Sequence, residues 1–195
     1  MLLQERERKL IMTEDNNYDH LREKIIRQKR VFDGEVIQVD HDTVELPDGG
    51  QSKREIVYHN GAVCLIAVHE GVMYFVRQYR IAPDEFLLEI PAGKIEKGDV
   101  PEETAKRELE EEVGAVSEKL SLIHEFYVSP GFSNEFVYLY EAEDMEMKKQ
   151  MLDPDEFLDI VEIPLQNLRE ILADGSVRDS KTIIAIQHVI EKYNL

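Results

Sequence analysis

Hydrophobic residues change rhythm several times along this chain, and each change marks an element. Residues 1–30 are polar and highly charged, with a helix-compatible stretch around Leu21 to Arg30. From Val31 the pattern turns to short strands: Val31–Val39, Thr43–Leu46 and, after the turn sequence Pro47-Asp48-Gly49-Gly50, Ser52–His59. Together they predict a small antiparallel unit over residues 31–59. Ala62–His69 is a continuous apolar run, the pattern of a strand buried on both faces. Glu70-Gly71 is a hairpin turn, and Val72–Tyr79 is the returning strand. Phe86–Ile90 is a further short strand. Pro101–Val113 has helical spacing, strands are predicted at 120–128, 135–142 and 157–163, and helices at 164–173 and 180–193. In the last helix Ile183, Ile186, Ile190 and Tyr193 recur at helical spacing and are expected in the core.

Strands, one helix, strands, then helices is not the regular alternation of a doubly wound parallel sheet. The predicted class is α+β: a mixed sheet sandwiched between helices, with the small antiparallel β unit beside it. The predicted division is 1–59 for the N-terminal extension and β unit, and 60–195 for the main domain.

Composition narrows the function. The chain has 195 residues, 43% hydrophobic and 33% charged, which is globular rather than disordered or fibrous. Its formal net charge of −18 counts against a nucleic-acid partner, because a polyphosphate backbone selects basic surfaces. An anionic substrate would need local Arg, Lys or metal ions to overcome that field. One cysteine, Cys64, lies in an apolar run and cannot close an intrachain disulfide, which fits a reducing compartment. No segment is long and apolar enough to span a membrane, and the N-terminus turns charged at once. The expected location is the cytoplasm.

The chemistry concentrates between Gly93 and Ala115. A glycine-containing loop leads into a helix with Pro101 in its first turn and Gly114 as its stop. On a wheel of about 100° per residue, Ala105, Leu109 and Val113 form an apolar stripe. Glu108 and Glu112 lie one turn apart beside it, flanked by Glu111. Like charges at that spacing repel, and desolvation beside a buried stripe makes the repulsion worse. A divalent cation with hard oxygen ligands removes the conflict. From the helix alone, a glutamate-rich surface face remains an equal reading.

The whole loop and helix resemble the signature of the Nudix hydrolase family. Gly93, Asp99, Arg107, Glu108, Leu109, Glu111, Glu112, Gly114 and Ala115 fall at its fixed positions. Two depart: Asp99 stands where the family has Glu, and Ala115 where it has a larger aliphatic residue. The runs Ser52–Val57, Arg77-Gln78-Tyr79-Arg80, Glu89–Gly93 and Ser129–Glu135 resemble the ADP-ribose pyrophosphatase branch.

The resemblance implies a Nudix-type α/β/α sandwich that cleaves the pyrophosphate bond of a nucleoside diphosphate sugar, with ADP-ribose giving AMP and ribose 5-phosphate. It implies Glu108, Glu112, Glu111 and the Ala92 carbonyl as metal ligands, with Mg²⁺ as the ion and Mn²⁺ as the alternative. Arg107 would fix the glutamates, and Glu135 would position the attacking water. Arg54, Arg80, Glu89 and Phe32 would contact substrate. A homodimer, built by exchange of the N-terminal unit, is also implied. Two other readings stay open: a Nudix hydrolase of another nucleotide sugar or oxidised nucleotide, and a non-catalytic ADP-ribose sensor.

Overall fold

The computed structural model describes residues 18–195 other than 153 and 155, and it divides between Ile56 and Val57 into two units. Each unit is built on its own sheet.

In the N-terminal unit, β1 (Lys24–Arg27) and β2 (Arg30–Asp33) both pair antiparallel with β3 (Ile37–Glu45), and β4 (Gln51–His59) also pairs with β3. The helix expected around Leu21 to Arg30 is not there: Tyr18–Leu21 makes one 3₁₀ turn, and Lys24–Arg27 is a strand. Ile25 and Ile26 are β-branched, and pairing with β3 overrides the weak helical preference of the charged residues around them. The break between β2 and β3 falls at Gly34–Val36, where one long strand was expected. Buried carboxylates secure the β1–β2 connection: Asp40 is bonded by Gln28 and Arg30, and Asp42 accepts from the Lys29 N–H.

The second unit carries a seven-stranded mixed sheet. At its centre β5 (Ala62–His69) runs parallel to β11 (Phe136–Glu143), while every other pairing is antiparallel. Along the other edge of β5 lie first β8 (Ala92–Lys94) and then β6 (Val72–Arg80). Beyond β6 stand β7 (Glu85–Glu89) and β13 (Leu158–Pro164), and beyond β11 stands β10 (Lys119–Tyr127). A small pair, β9 (Ala115–Val116) with β12 (Glu146–Met147), lies apart. The β5–β6 hairpin turns on Glu70 and Gly71, both at positive φ (48° and 81°), as a two-residue turn of this hand requires.

The alternation along β5 sorts two cores. Val63, Leu65 and Ala67 pack with Ala105, Leu109 and Val113 of α1 (Pro101–Glu108) and of the wide π-type turn, Leu109–Val113, that continues it. Cys64 and Ile66 pack on the opposite face with Leu168 of α2 (Leu168–Ala173) and with Ala185, Ile186 and Val189 of α3 (Ser180–Tyr193). The sheet is thus sandwiched between helices, an α+β architecture. Of the four α3 residues expected in the core, Ile186 is fully buried, and Ile183 and Ile190 pack against the core. Tyr193 is 42% exposed, because the helix ends there and Asn194 caps it in the left-handed conformation.

Candidate active site

Glu89 ends β7 and Ala92 begins β8, with Ile90-Pro91 as the link. The link is anchored twice: the Pro91 carbonyl accepts from the Leu65 N–H at 2.9 Å, and the Ile90 N–H donates to Thr182 Oγ1 at 2.8 Å. Ala92 is thereby held beneath the glutamate helix, and its N–H donates to Glu112 Oε2 at 2.8 Å. The next residue is a glycine for steric reasons. A Cβ on Gly93 would stand 2.0 Å from the Glu108 carboxyl group, which lies directly over it.

The apolar stripe of α1 and of the wide turn after it brings Glu108 and Glu112 inward, leaving them only 5% and 2% exposed. Arg107 reaches Glu108 at 2.8 Å and Glu111 at 2.7 Å, so one guanidinium ties the two carboxylates together. Asp99 has no ion pair with Arg107 among the described residues; its N–H closes a turn onto the Glu96 carbonyl. The helix then widens, and Gly114 stops it at φ 69°. The carbonyls of the wide turn find partners in a later segment: Met151 N–H donates to the Glu111 carbonyl at 3.2 Å and Gln150 Nε2 to that of Glu112 at 2.7 Å.

That segment leads to Glu156, a residue the sequence reading passed over. Glu108, Glu112 and Glu156 each place a carboxylate oxygen within 4.8 Å of the other two. Burial pushes the Glu108 carboxyl up to about 7, with Arg107 opposing and Glu111 and Glu156 adding to the rise. Burial likewise pushes Glu112 up to about 8, opposed by the Ala92 N–H and reinforced by Glu108 and Glu156. Glu156 Oε2 is buried without a hydrogen-bond partner. Three crowded carboxylates, two of them buried and one with an orphaned oxygen, are a donor set that fits a hard divalent cation.

Beside the cluster, Arg80 at the end of β6 forks onto both oxygens of Glu89, at 2.7 and 2.8 Å. Lys181 of α3 also bonds Glu89. Burial works to raise the Glu89 carboxyl, but the two cations outweigh it and hold it below the ordinary range.

Three other residues were expected at the site. Glu135 sits just before β11, its N–H on Ser133 Oγ at 3.1 Å and its carbonyl accepting from Val128 at 3.3 Å. Among the described residues no hydrogen bond or ion pair joins it to the glutamate cluster. Arg54 and Phe32 belong to the N-terminal unit. Arg54 pairs with Glu23 and also donates to Ser52 Oγ and the Lys53 carbonyl. Phe32 is 54% exposed. The signal that could have pointed to Glu156 is the acidic run Asp153-Pro154-Asp155-Glu156 just before a strand.

The chain is similar to several known proteins. The chain is 45% identical over 172 residues to an ADP-ribose pyrophosphatase of Bacillus subtilis, spanning 87% of this chain and 93% of that one. It is 44% identical to a methanol dehydrogenase activator of Bacillus methanolicus, with 86% and 92% covered. A GDP-mannose pyrophosphatase of Yersinia enterocolitica is 31% identical over 73% of this chain and 82% of its own. The crystal structure of an ADP compounds hydrolase superposes with a TM-score of 0.78 at 21% identity, covering 88% of this chain and 94% of that one, a likeness of fold. The profile of the NUDIX domain matches residues 57–185, the span that holds the whole glutamate cluster, and the chain therefore belongs to the Nudix family.

Proposed function

We propose that this protein hydrolyses the pyrophosphate bond of ADP-ribose to give AMP and ribose 5-phosphate, with Mg²⁺ as its metal and Mn²⁺ as the alternative. The observation that carries the chemistry is the convergence of Glu108, Glu112 and Glu156 within 4.8 Å of one another. The substrate follows the ADP-ribose pyrophosphatase with which the chain shares 45% identity.

Of the three converging carboxylates, Glu108 and Glu112, with the Ala92 carbonyl, are the residues that would hold the metal, with Glu111 as their neighbour, and Glu156 is left to the water. When bound, the metal supplies charge neutralisation and a water of lowered pKa. Arg107 holds Glu108 and Glu111 in place. Arg80 offers its guanidinium to phosphate oxygens, and Glu89 fixes that guanidinium. Arg54 and Phe32 are assigned to the diphosphate and the base. Glu156, with its buried unpartnered oxygen, takes the proton of the water that attacks phosphorus, while the bridging phosphorus–oxygen bond breaks. Glu135, to which the resemblance gave this role, is the second candidate.

The protein acts as a homodimer in this reading. Every residue of β1 and β2 is exposed, and Ile25, Ile26, Val31 and Phe32 are each about half open to solvent. A second copy would cover these apolar side chains. A cytoplasmic site suits the single, buried Cys64, and no helix among the described residues is long and apolar enough to cross a membrane.

A second reading, hydrolysis of another nucleotide sugar, draws on the 31% identity to GDP-mannose pyrophosphatase. Hydrolysis of ADP-ribose, GDP-mannose and other nucleotide sugars, with Mg²⁺ and with EDTA, decides between them. Fastest metal-dependent cleavage of ADP-ribose supports the first reading, and another winner moves the substrate. Binding without turnover would leave a sensor.

A further inference from the structure

Four charged side chains alternate in a row beside the glutamate cluster. Arg80 bonds Glu89, Glu89 bonds Lys181, and Lys181 pairs with Asp179 at 3.0 Å. The row joins β6, β7 and the start of α3, and it is neutral. Its burial is graded: the side chain of Glu89 is 2% exposed, those of Lys181 and Asp179 are 16%, and that of Arg80 is 42%. Arg80 is the end that faces outward. It spends Nε and Nη2 on Glu89. Its Nη1 edge has no partner among the described residues.

We propose that Lys181 is a positioning residue for diphosphate binding: by sharing the buried charge of Glu89, it leaves Arg80 oriented and able to serve a phosphate. The inference rests on the assignment of Arg80 to the diphosphate. A buried carboxylate with a single counter-ion draws that ion fully to itself, because an uncompensated charge there is costly. With Arg80 as the sole partner of Glu89, turning its charge toward a phosphate would leave Glu89 under-compensated. Lys181 covers Glu89 from the other side, so Arg80 can be shared. Lys181 is in turn fixed by Asp179, whose carboxylate caps α3 by accepting from the Thr182 N–H at 3.0 Å. Thr182 Oγ1 holds the Ile90 N–H. One helical turn therefore steadies both Arg80 and the loop that ends in Ala92. The row acts on the bound substrate rather than on the bond being broken, so its loss falls on KM and leaves kcat nearly unchanged.

The test is a cycle of Lys181→Met, Glu89→Gln and the double variant, with Lys181→Arg as the conservative replacement. KM and kcat are measured on ADP-ribose, and inorganic pyrophosphate binding is measured by calorimetry, both at saturating Mg²⁺. Lys181→Met is expected to raise KM and the pyrophosphate Kd about tenfold, with kcat within about twofold, and Lys181→Arg to recover most of the loss. In the Glu89→Gln background, where there is no charge to share, Lys181→Met should add little. Unchanged KM and pyrophosphate affinity with a lowered Tm would overturn the proposal, as would an equal Lys181→Met effect in both backgrounds. A wild-type protein that prefers another nucleotide sugar overturns the substrate reading alone. The pyrophosphate titration then still decides for or against Lys181.

Discussion

The Ala92 N–H donates to the carboxylate of Glu112 at 2.8 Å, joining residues 20 apart in sequence. The bond partly offsets the burial of a carboxylate that is only 2% exposed. It also fixes the residue whose carbonyl is assigned to the metal. Glu112 is thus held in a place that suits a cation and strains the metal-free protein.

Glu112→Gln is expected to cut hydrolysis by about a thousandfold, equivalent to about 4 kcal/mol of transition-state stabilisation. The same change removes a buried charge, so the metal-free variant should melt higher than wild type near pH 8. Steady-state kinetics and calorimetry in EDTA check the two halves. A variant that keeps its activity would remove Glu112 from the site.

Glu108 and Glu112 bind their protons more tightly in the folded chain, at about 7 and about 8, than at the ordinary 4.5. The folded state therefore holds the extra protons, and stability linked to these groups is present below the unfolded value and lost as pH rises through the folded values. In EDTA, stability against urea should fall from about pH 5 to about pH 8. Mg²⁺ should restore more at the upper end, and its binding should release protons. A flat profile in EDTA would show that the two carboxylates are not strained.

Glu156→Gln is expected to lower kcat by at least about a hundredfold, in the range for loss of a general base, and Glu135→Gln by much less. Kinetics on the two variants at saturating metal separates them. The reverse ranking would return the role to Glu135.

Gly93→Ala should be among the most damaging small substitutions in this chain, since the added Cβ meets the Glu108 carboxyl at 2.0 Å. Displacement of that carboxyl should weaken Mg²⁺ activation and reduce hydrolysis while the fold survives. Unchanged metal dependence would show that Glu108 has room to move.

What could be read from the residues was what repeats locally. Ala105, Leu109 and Val113 recur at helical spacing, and each is buried against β5. That spacing also placed Glu108 and Glu112 on one side of the helix. The alternating faces of Ala62–His69 followed from an unbroken apolar run. Glu156 could not be read in this way. It reaches Glu108 and Glu112 through a segment whose bonds run to the Glu111 and Glu112 carbonyls, and no periodicity records that return. The widening of the helix at Leu109–Val113 was hidden too, since the residues that satisfy its carbonyls lie far along the chain. Lys24–Arg27 failed for the opposite reason. Its local signal was helical, and pairing with Thr43–Glu45 decided otherwise.

The parallel pairing of β5 with β11 bears on how the protein comes into being. Ala62 meets Val137 only after the intervening chain, which includes α1, the wide turn after it and both metal-assigned glutamates, has crossed from one strand to the other. Such a closure is non-local and costs chain entropy before any contact repays it. The glutamate helix is part of that crossover, so its carboxylates meet their partners late. During synthesis, β11 emerges after α1, and the acidic helix must wait for its place in the sheet. The site is therefore a product of completed folding rather than a nucleus for it, and a half-made chain carries the motif without the chemistry.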